Sequence, residues 1–198
     1  MKIKYLQVLF IFTIVFTSCN NNCIQTHLTN DERDWFLRYR KGDVIIFKSN
    51  LGNLDSLKVV SKTEGFTNPD CNRIGVGKYQ QEFIKIEFEP NVYKNIDIYN
   101  VAEISIYKDY PDKIDFPFFR IFGLEYADII ENHNLIREKI TLSTTNKTYF
   151  VYSFKENVNT TNAGNEYLKS FQWDKKEGLI RYEANNGEIF ELLKKLKL

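Results

Sequence analysis

The sequence has few of the residues that usually carry catalysis or metal binding. It contains two histidines and three cysteines in 198 residues. Neither His27 nor His133 has another histidine or a cysteine at metal-ligand spacing, which argues against the usual zinc sites. A Gly-x-Ser-x-Gly nucleophile motif is missing, and residues 75–78 (GVGK) lack the flanking residues of a phosphate-binding loop. We therefore expect no catalytic residue, no metal site and no cofactor, and we expect that the protein is not an enzyme.

The sequence also lacks an apolar run long enough to cross a bilayer. Residues 6–16 are apolar except at two positions, but a spanning helix needs about 20 such residues. Lys2 and Lys4 precede this run. The length and flanks are those of a secretory signal peptide, which we place at residues 1–18.

The residues before Cys19 resemble the lipobox of bacterial lipoproteins. A small residue, Ser18, directly precedes the cysteine. The resemblance implies cleavage after residue 18 and acylation of Cys19, and several acyl chains would attach the protein permanently to a membrane. Phe16 and Ser18 depart from the usual Leu and Gly or Ala, as they often do in lipoproteins of Bacteroidota. The alternative is an ordinary signal peptide followed by a chance cysteine.

The mature chain would begin at residue 19. Loss of two lysines changes the balance of 27 basic and 26 acidic residues to 25 and 26, so net charge gives no attraction to nucleic acid. Residues 19–28 are predicted to form a lipidated tether. Nine extended residues reach about 30 Å, so the domain would stay within that distance of the membrane surface. Residues 29–198 are long enough for a single domain with a real core.

Two cysteines remain once Cys19 is acylated. An even pair in an oxidising compartment predicts a disulfide between Cys23 and Cys71. It would join the tether to the domain. Two unpaired thiols are the alternative.

Alternation of apolar and polar residues predicts a mainly β fold. In residues 83–89, Ile84, Ile86 and Phe88 lie on one face, as in a sheet with one wet face. The predicted strands are 44–47, 57–60, 83–89, 96–107, 136–142, 147–154, 167–173, 179–183 and 188–193. Turns are predicted at 174–178 and at Asn186–Gly187. We expect about nine or ten mostly antiparallel strands in a meander; a curved sheet, a sandwich and an open barrel all fit.

A short N-terminal helix is predicted before the first of these strands. Thr29 and Glu32 have the spacing of a capping box, and Gly42 is a natural stop. The aromatic residues between them would face the core. Pro117 predicts an edge strand or a crossing loop in residues 114–122, and residues 124–137 are ambiguous between a strand and a short helix.

Three segments resemble uncharacterised lipoproteins of Bacteroidota. They are residues 35–47 (WFLRYRKGDVIIF), 148–154 (TYFVYSF) and 171–192 (FQWDKKEGLIRYEANNGEIFEL). Those proteins tend to share a Tyr-x-x-Gly-Asp start, a Lys-Thr-Tyr strand and a closing Gly-Leu-Ile-x-Tyr-Glu hairpin. The resemblance implies a β-rich domain and no known activity.

The sequence contains one short motif for modification and one lysine-rich segment. Asp55-Ser56-Leu57 resembles the acceptor motif of O-glycosylation in Bacteroidota, which predicts a glycan on Ser56, although so short a motif also occurs by chance. The lysines at 194, 195 and 197 are predicted to be a solvated end of the chain.

Two functions fit these observations. The first is a structural or interaction module that binds another envelope protein or a glycan. The alternative is a carrier of a lipid or another apolar ligand, suggested by the Phe-rich residues 116–122 and by the aromatic face of residues 150–154, although core packing explains these side chains equally well. The asparagines at 20–22 favour the periplasmic face of the outer membrane over the cell surface.

Overall fold

A computed structural model describes residues 23–71, 77–91, 102–126, 137–155, 161–162 and 168–197. These residues form one short α-helix, one turn of 3-10 helix and thirteen strands. The strands are β1 (Ile24–Thr26), β2 (Val44–Ser49), β3 (Leu54–Phe66), β4 (Tyr79–Pro90), β5 (Ala102–Tyr107), β6 (Phe118–Ile121), β7 (Leu124–Tyr126), β8 (Arg137–Thr141), β9 (Thr148–Lys155), β10 (Thr161–Asn162), β11 (Ser170–Asp174), β12 (Gly178–Glu183) and β13 (Ile189–Leu196). The helix α1 is Asn30–Arg33, followed by the 3-10 turn Asp34–Phe36.

The strands form a single sheet that curls into a half-barrel. Its order is β10-β7-β6-β5-β4-β3-β2-β13-β12-β11-β9-β8, and β1 pairs with β4 outside this path. Within the described residues the pairs are antiparallel except for β1 with β4. The prediction of a mainly β, mostly antiparallel meander is confirmed. The thirteen strands exceed the predicted number of about nine or ten.

Side-chain alternation places the apolar face of the central strands inside the curl. Ile84, Ile86 and Phe88 of β4 are buried as predicted, and so are Ile104 and Ile106 of its neighbour β5. Residues 96–101 of the predicted strand lie outside the described residues, and β5 begins at residue 102. The inward-facing side chains of β4 and β5 thus form one wall of the core.

Aromatic rings fill the space between the two ends of the sheet. Phe119 of β6 lies 4.9 Å from Phe154 of β9 and 5.0 Å from Trp173 of β11, measured between ring centroids. Because β6 and β9 stand near opposite ends of the strand order, these contacts require the sheet to curl. Each such pair contributes roughly 0.5–1.5 kcal/mol beyond the burial of its area.

The predicted N-terminal helix exists but is shorter than expected. Thr29 accepts a hydrogen bond from the backbone of Glu32, and the Glu32 carboxylate accepts one in return, which confirms the capping box. The chain leaves the helix well before Gly42. Residues 40–43 instead form a turn, in which the Asp43 carboxylate accepts a hydrogen bond from the backbone N–H of Arg40 and the backbone N–H of Asp43 donates to the Arg40 carbonyl.

Two features near the strand ends differ from the prediction. Ile24–Thr26, expected in the tether, forms β1, whose backbone bonds to the start of β4. Of the two alternatives predicted for residues 114–122, the edge strand is wrong, because β6 is an interior strand between β5 and β7. Residues 114–117 lie in the loop before it. Since Pro117 lies just before the strand, its missing N–H removes no ladder bond. His133 and most of the ambiguous residues 124–137 lie outside the described residues.

Candidate binding groove at the disulfide end

The disulfide predicted between Cys23 and Cys71 is present, with Cα atoms 5.6 Å apart. Directly after it, the backbone N–H of Ile24 donates to the Lys78 carbonyl at 2.9 Å, and Ile24 stands opposite Tyr79. A covalent bond and a strand pairing therefore hold this part of the chain in place. We call this region, with the residues 108–115 that pack beside it, the disulfide end of the sheet.

A groove of about 450 Å³ opens at the disulfide end. It is lined by Gly77, Lys78, Tyr79, Gln81, Asp109 and Tyr110. The Tyr79 and Tyr110 rings meet edge to face at 5.7 Å, and the Lys78 ammonium lies 5.0 Å from the Tyr79 ring centre. A second depression of about 300 Å³ shares Gln81 and Asp109 with it, so the two adjoin.

The two adjoining depressions together are lined by two lysines, Lys78 and Lys113, and two aspartates, Asp109 and Asp115. Gln81 donates to Asp109 at 2.7 Å, and the Lys113 ammonium lies 3.9 Å from the Asp109 carboxylate and 3.3 Å from the Asp115 carboxylate. Burial raises the pKa of Asp115, and Lys113 opposes part of that rise. The two depressions therefore present aromatic faces and equal numbers of acidic and basic groups rather than a net charge, which suits an uncharged or zwitterionic surface.

A buried ion pair holds in place the segment that carries Asp109 and Tyr110 of the groove. The Lys108 ammonium and the Glu32 carboxylate are 2.8 Å apart, and each side chain is 1% exposed. Glu32 also accepts bonds from Thr29 and from the backbone N–H of Asp115. Burial would raise the pKa of Glu32, but these hydrogen bonds lower it below its usual value. The pair fixes residues 108–115 against α1.

Sequence reasoning missed this pair. The capping box placed Glu32 correctly, but only for its local role at the helix terminus. Lys108 lies 76 residues away in the chain, and a lysine after a strand ordinarily indicates solvent. A buried lysine at this position could not be read from local pattern.

Residues 35–47 and residues 171–192 meet inside the fold. The Tyr39 hydroxyl accepts a bond from the backbone N–H of Leu179 at 2.9 Å. A Cβ on Gly178 would lie 1.7 Å from that hydroxyl oxygen, so glycine is needed there for space. Burial raises the pKa of Tyr39. This tyrosine therefore acts as a neutral hydrogen-bonding support between the segment that follows the 3-10 turn and β12.

The prediction that Lys195 is solvated is wrong. Its side chain is 17% exposed, its ammonium lies 5.3 Å from the centre of the Tyr39 ring, and it donates to the Glu177 backbone. Burial lowers the pKa of Lys195, against the opposing effect of Glu177. The cause is β13, which continues to residue 196 and pairs with β2. Lys194 and Lys197 are exposed, as predicted.

The predicted glycosylation motif lies within β3. Asp55 and Leu57 are buried, and Tyr182 donates to the Asp55 carboxylate at 2.5 Å. Ser56 is half-buried on the opposite face of the strand. Modification of Ser56 stays a prediction, as does acylation of Cys19, which lies outside the described residues.

Comparison with family models, with curated proteins and with solved structures finds no match to this chain. Within the described ranges, no group of three or more His, Cys, Asp or Glu is placed to hold a metal ion. No helix in those ranges is long and apolar enough to cross a membrane.

Proposed function

We propose that this protein is an envelope lipoprotein, anchored by acyl chains on Cys19, whose β domain is a structural or interaction module without catalytic activity. The supporting observation is the fixed position of Cys23, which is bonded to Cys71 and followed directly by β1. The four residue steps from Cys19 to Cys23 span at most about 14 Å, about half the reach of the predicted tether. The domain would then stand against the membrane, on the periplasmic face of the outer membrane.

Metabolic labelling with an alkyne fatty acid tests the anchor. The wild-type chain and a Cys23→Ser control should carry label and sediment with membranes, whereas Cys19→Ser should carry none. Label retained by Cys19→Ser would contradict anchoring at this residue. Protease treatment of whole cells tests the leaflet, since digestion of the domain would place it outside.

Site-specific photocrosslinking tests the interaction role. Leu51 and Leu54 are exposed apolar residues at the turn between β2 and β3, far from the disulfide end. A crosslinker at either position should capture a defined envelope protein or glycan in native membranes. A crosslinker at Lys169, which is exposed but polar, is the matched control. Repeated capture of nothing above the control would rule out this surface.

A second candidate is a carrier of an apolar ligand with a polar head. The Trp173 side chain is buried in the concave interior, and its indole N–H has no hydrogen-bond acceptor among the described residues. A ligand carbonyl could accept that bond, since an unsatisfied buried donor costs about 1–3 kcal/mol. Mass spectrometry of the purified protein should then detect stoichiometric lipid that is reduced in Trp173→Phe. Protein free of lipid would exclude the carrier.

A further inference from the structure

Exposed apolar and aromatic side chains gather at the disulfide end. Ile24 is 46%, Tyr110 55% and Ile114 80% exposed. Ile24 stands opposite Tyr79 in a parallel pair, and the Tyr79 and Tyr110 rings are in contact. The backbone N–H of Lys113 bonds to the Tyr110 carbonyl, so Ile114 emerges beside this group. We call Ile24, Tyr79, Tyr110 and Ile114 the interfacial patch.

The chemistry of the interfacial patch suits a lipid surface. Tyrosine combines an apolar ring with a polar hydroxyl and is enriched where membrane meets water. The neighbouring charges, which include Lys78, Asp109 and Lys113, have both signs. Association would therefore depend on insertion of rings and aliphatic side chains among the headgroups rather than on attraction to anionic lipid.

The length of chain before β1 identifies the occupant of this surface. Given the anchor proposed at Cys19, at most about 14 Å of chain separates the acylated residue from Cys23. Cys23 is bonded to Cys71, and Ile24 is held by β4. We infer that the interfacial patch rests in the headgroup layer of the anchoring membrane and sets one orientation of the domain. This inference rests on the proposed anchor.

The opposite end of the sheet provides a built-in control. From Phe66 near the disulfide end, the thirteen residues of β3 lead back to Leu54, at most about 40 Å away at about 3.3 Å per residue. There the turn after β2 meets the hairpin before β13, since the backbone N–H of Asn50 donates to Ile189 at 2.9 Å. Leu51 in this turn is 70% exposed.

Fluorescence quenching by lipid tests the orientation. Tyr110→Trp and Leu51→Trp variants of the full acylated chain are reconstituted in vesicles of phosphatidylethanolamine and phosphatidylglycerol, with and without brominated acyl chains. The native Trp35 and Trp173 are buried and contribute the same background to both variants. Added emission from Tyr110→Trp should shift to shorter wavelength and be quenched several-fold more than that from Leu51→Trp.

The outcomes separate the orientation from the anchor. Failure of the wild-type chain to float with vesicles would refute the anchor at Cys19. Flotation with equal quenching of both reporters, or with stronger quenching of Leu51→Trp, would overturn the orientation alone. Ile114→Trp is a second reporter on the same patch, in case Tyr110→Trp does not fold. It should behave as Tyr110→Trp does.

Discussion

Replacing one partner of the Glu32–Lys108 ion pair should lower the free energy of unfolding more than replacing both partners does. Both side chains are 1% exposed, and the charged atoms are 2.8 Å apart. Glu32→Gln leaves the Lys108 ammonium buried, with the carboxylate of Asp115, 3.8 Å away, as its remaining partner. Loss of one partner of a buried pair costs about 3–5 kcal/mol. Because Asp115 gives partial compensation, we expect a loss of about 3 kcal/mol from the free energy of unfolding.

A double-mutant cycle measures the coupling between these two charges. Lys108→Met alone should cost a similar amount, while the double variant should cost less than either single variant, that is, more than about 3 kcal/mol less than their sum. Urea unfolding followed by tryptophan fluorescence gives each value. Glu183→Gln is the control, because its partner Lys169 is 61% exposed and such pairs contribute less than about 1 kcal/mol. Additive costs, or a loss below about 1 kcal/mol for Glu32→Gln, would refute this reasoning.

The same pair predicts the direction of a pH effect. The folded-state pKa of Glu32 lies below its usual value of 4.5, so the ionised form contributes stability that is complete above pH 4.5. This contribution is lost as pH falls through the folded-state pKa. The difference in unfolding free energy between wild type and Glu32→Gln should therefore shrink on acidification below pH 4.5. A difference that grows in acid would contradict the assignment.

Three further predictions concern packing, the disulfide and modification. Gly178→Ala should lower the melting temperature more than Gly187→Ala, because both glycines have φ near +80° but only an alanine at 178 would meet a side chain within 4 Å. Reduction of the Cys23–Cys71 bond, which closes a separation of 48 residues, should lower the unfolding free energy by up to about 4 kcal/mol in urea titrations; an unchanged midpoint would count against it. A glycan on Ser56 should appear as added intact mass that Ser56→Ala lacks, and a mass equal to the acylated polypeptide would exclude it.

Local pattern predicted those parts of the fold that depend on neighbouring residues. The alternation around Ile84 and Ile86 located the central strand, and the Asn186–Gly187 turn lies where its residue types indicated. The capping box located the start of α1. In each case the decisive interaction joins residues close in sequence. The disulfide was also predicted, because the expected acylation of Cys19 would leave one pair of cysteines, and the expected compartment is oxidising.

The remaining features depend on contacts between distant residues. The contact between the rings of Phe119 and Phe154 requires the sheet to curl, but strand periodicity is the same in a flat sheet, a sandwich or a barrel. β1 has three residues and only one buried side chain, so it carries no alternation to detect. The groove at the disulfide end was missed for the same reason, since it brings together β4 and residues 109–110.

The pairing of β2 with β13 has a consequence for how the chain folds. Residues 44–49 bond to residues 190–196, so one edge of β2 remains unpaired until β13 has been made, while its other edge can pair with β3. Non-local pairings of this kind slow folding and leave intermediates open to association. An exposed edge is itself a template for pairing with another chain. Loss of residues 189–196 would therefore expose the edge of β2 in the middle of the sheet, and aggregation rather than local fraying is the expected result.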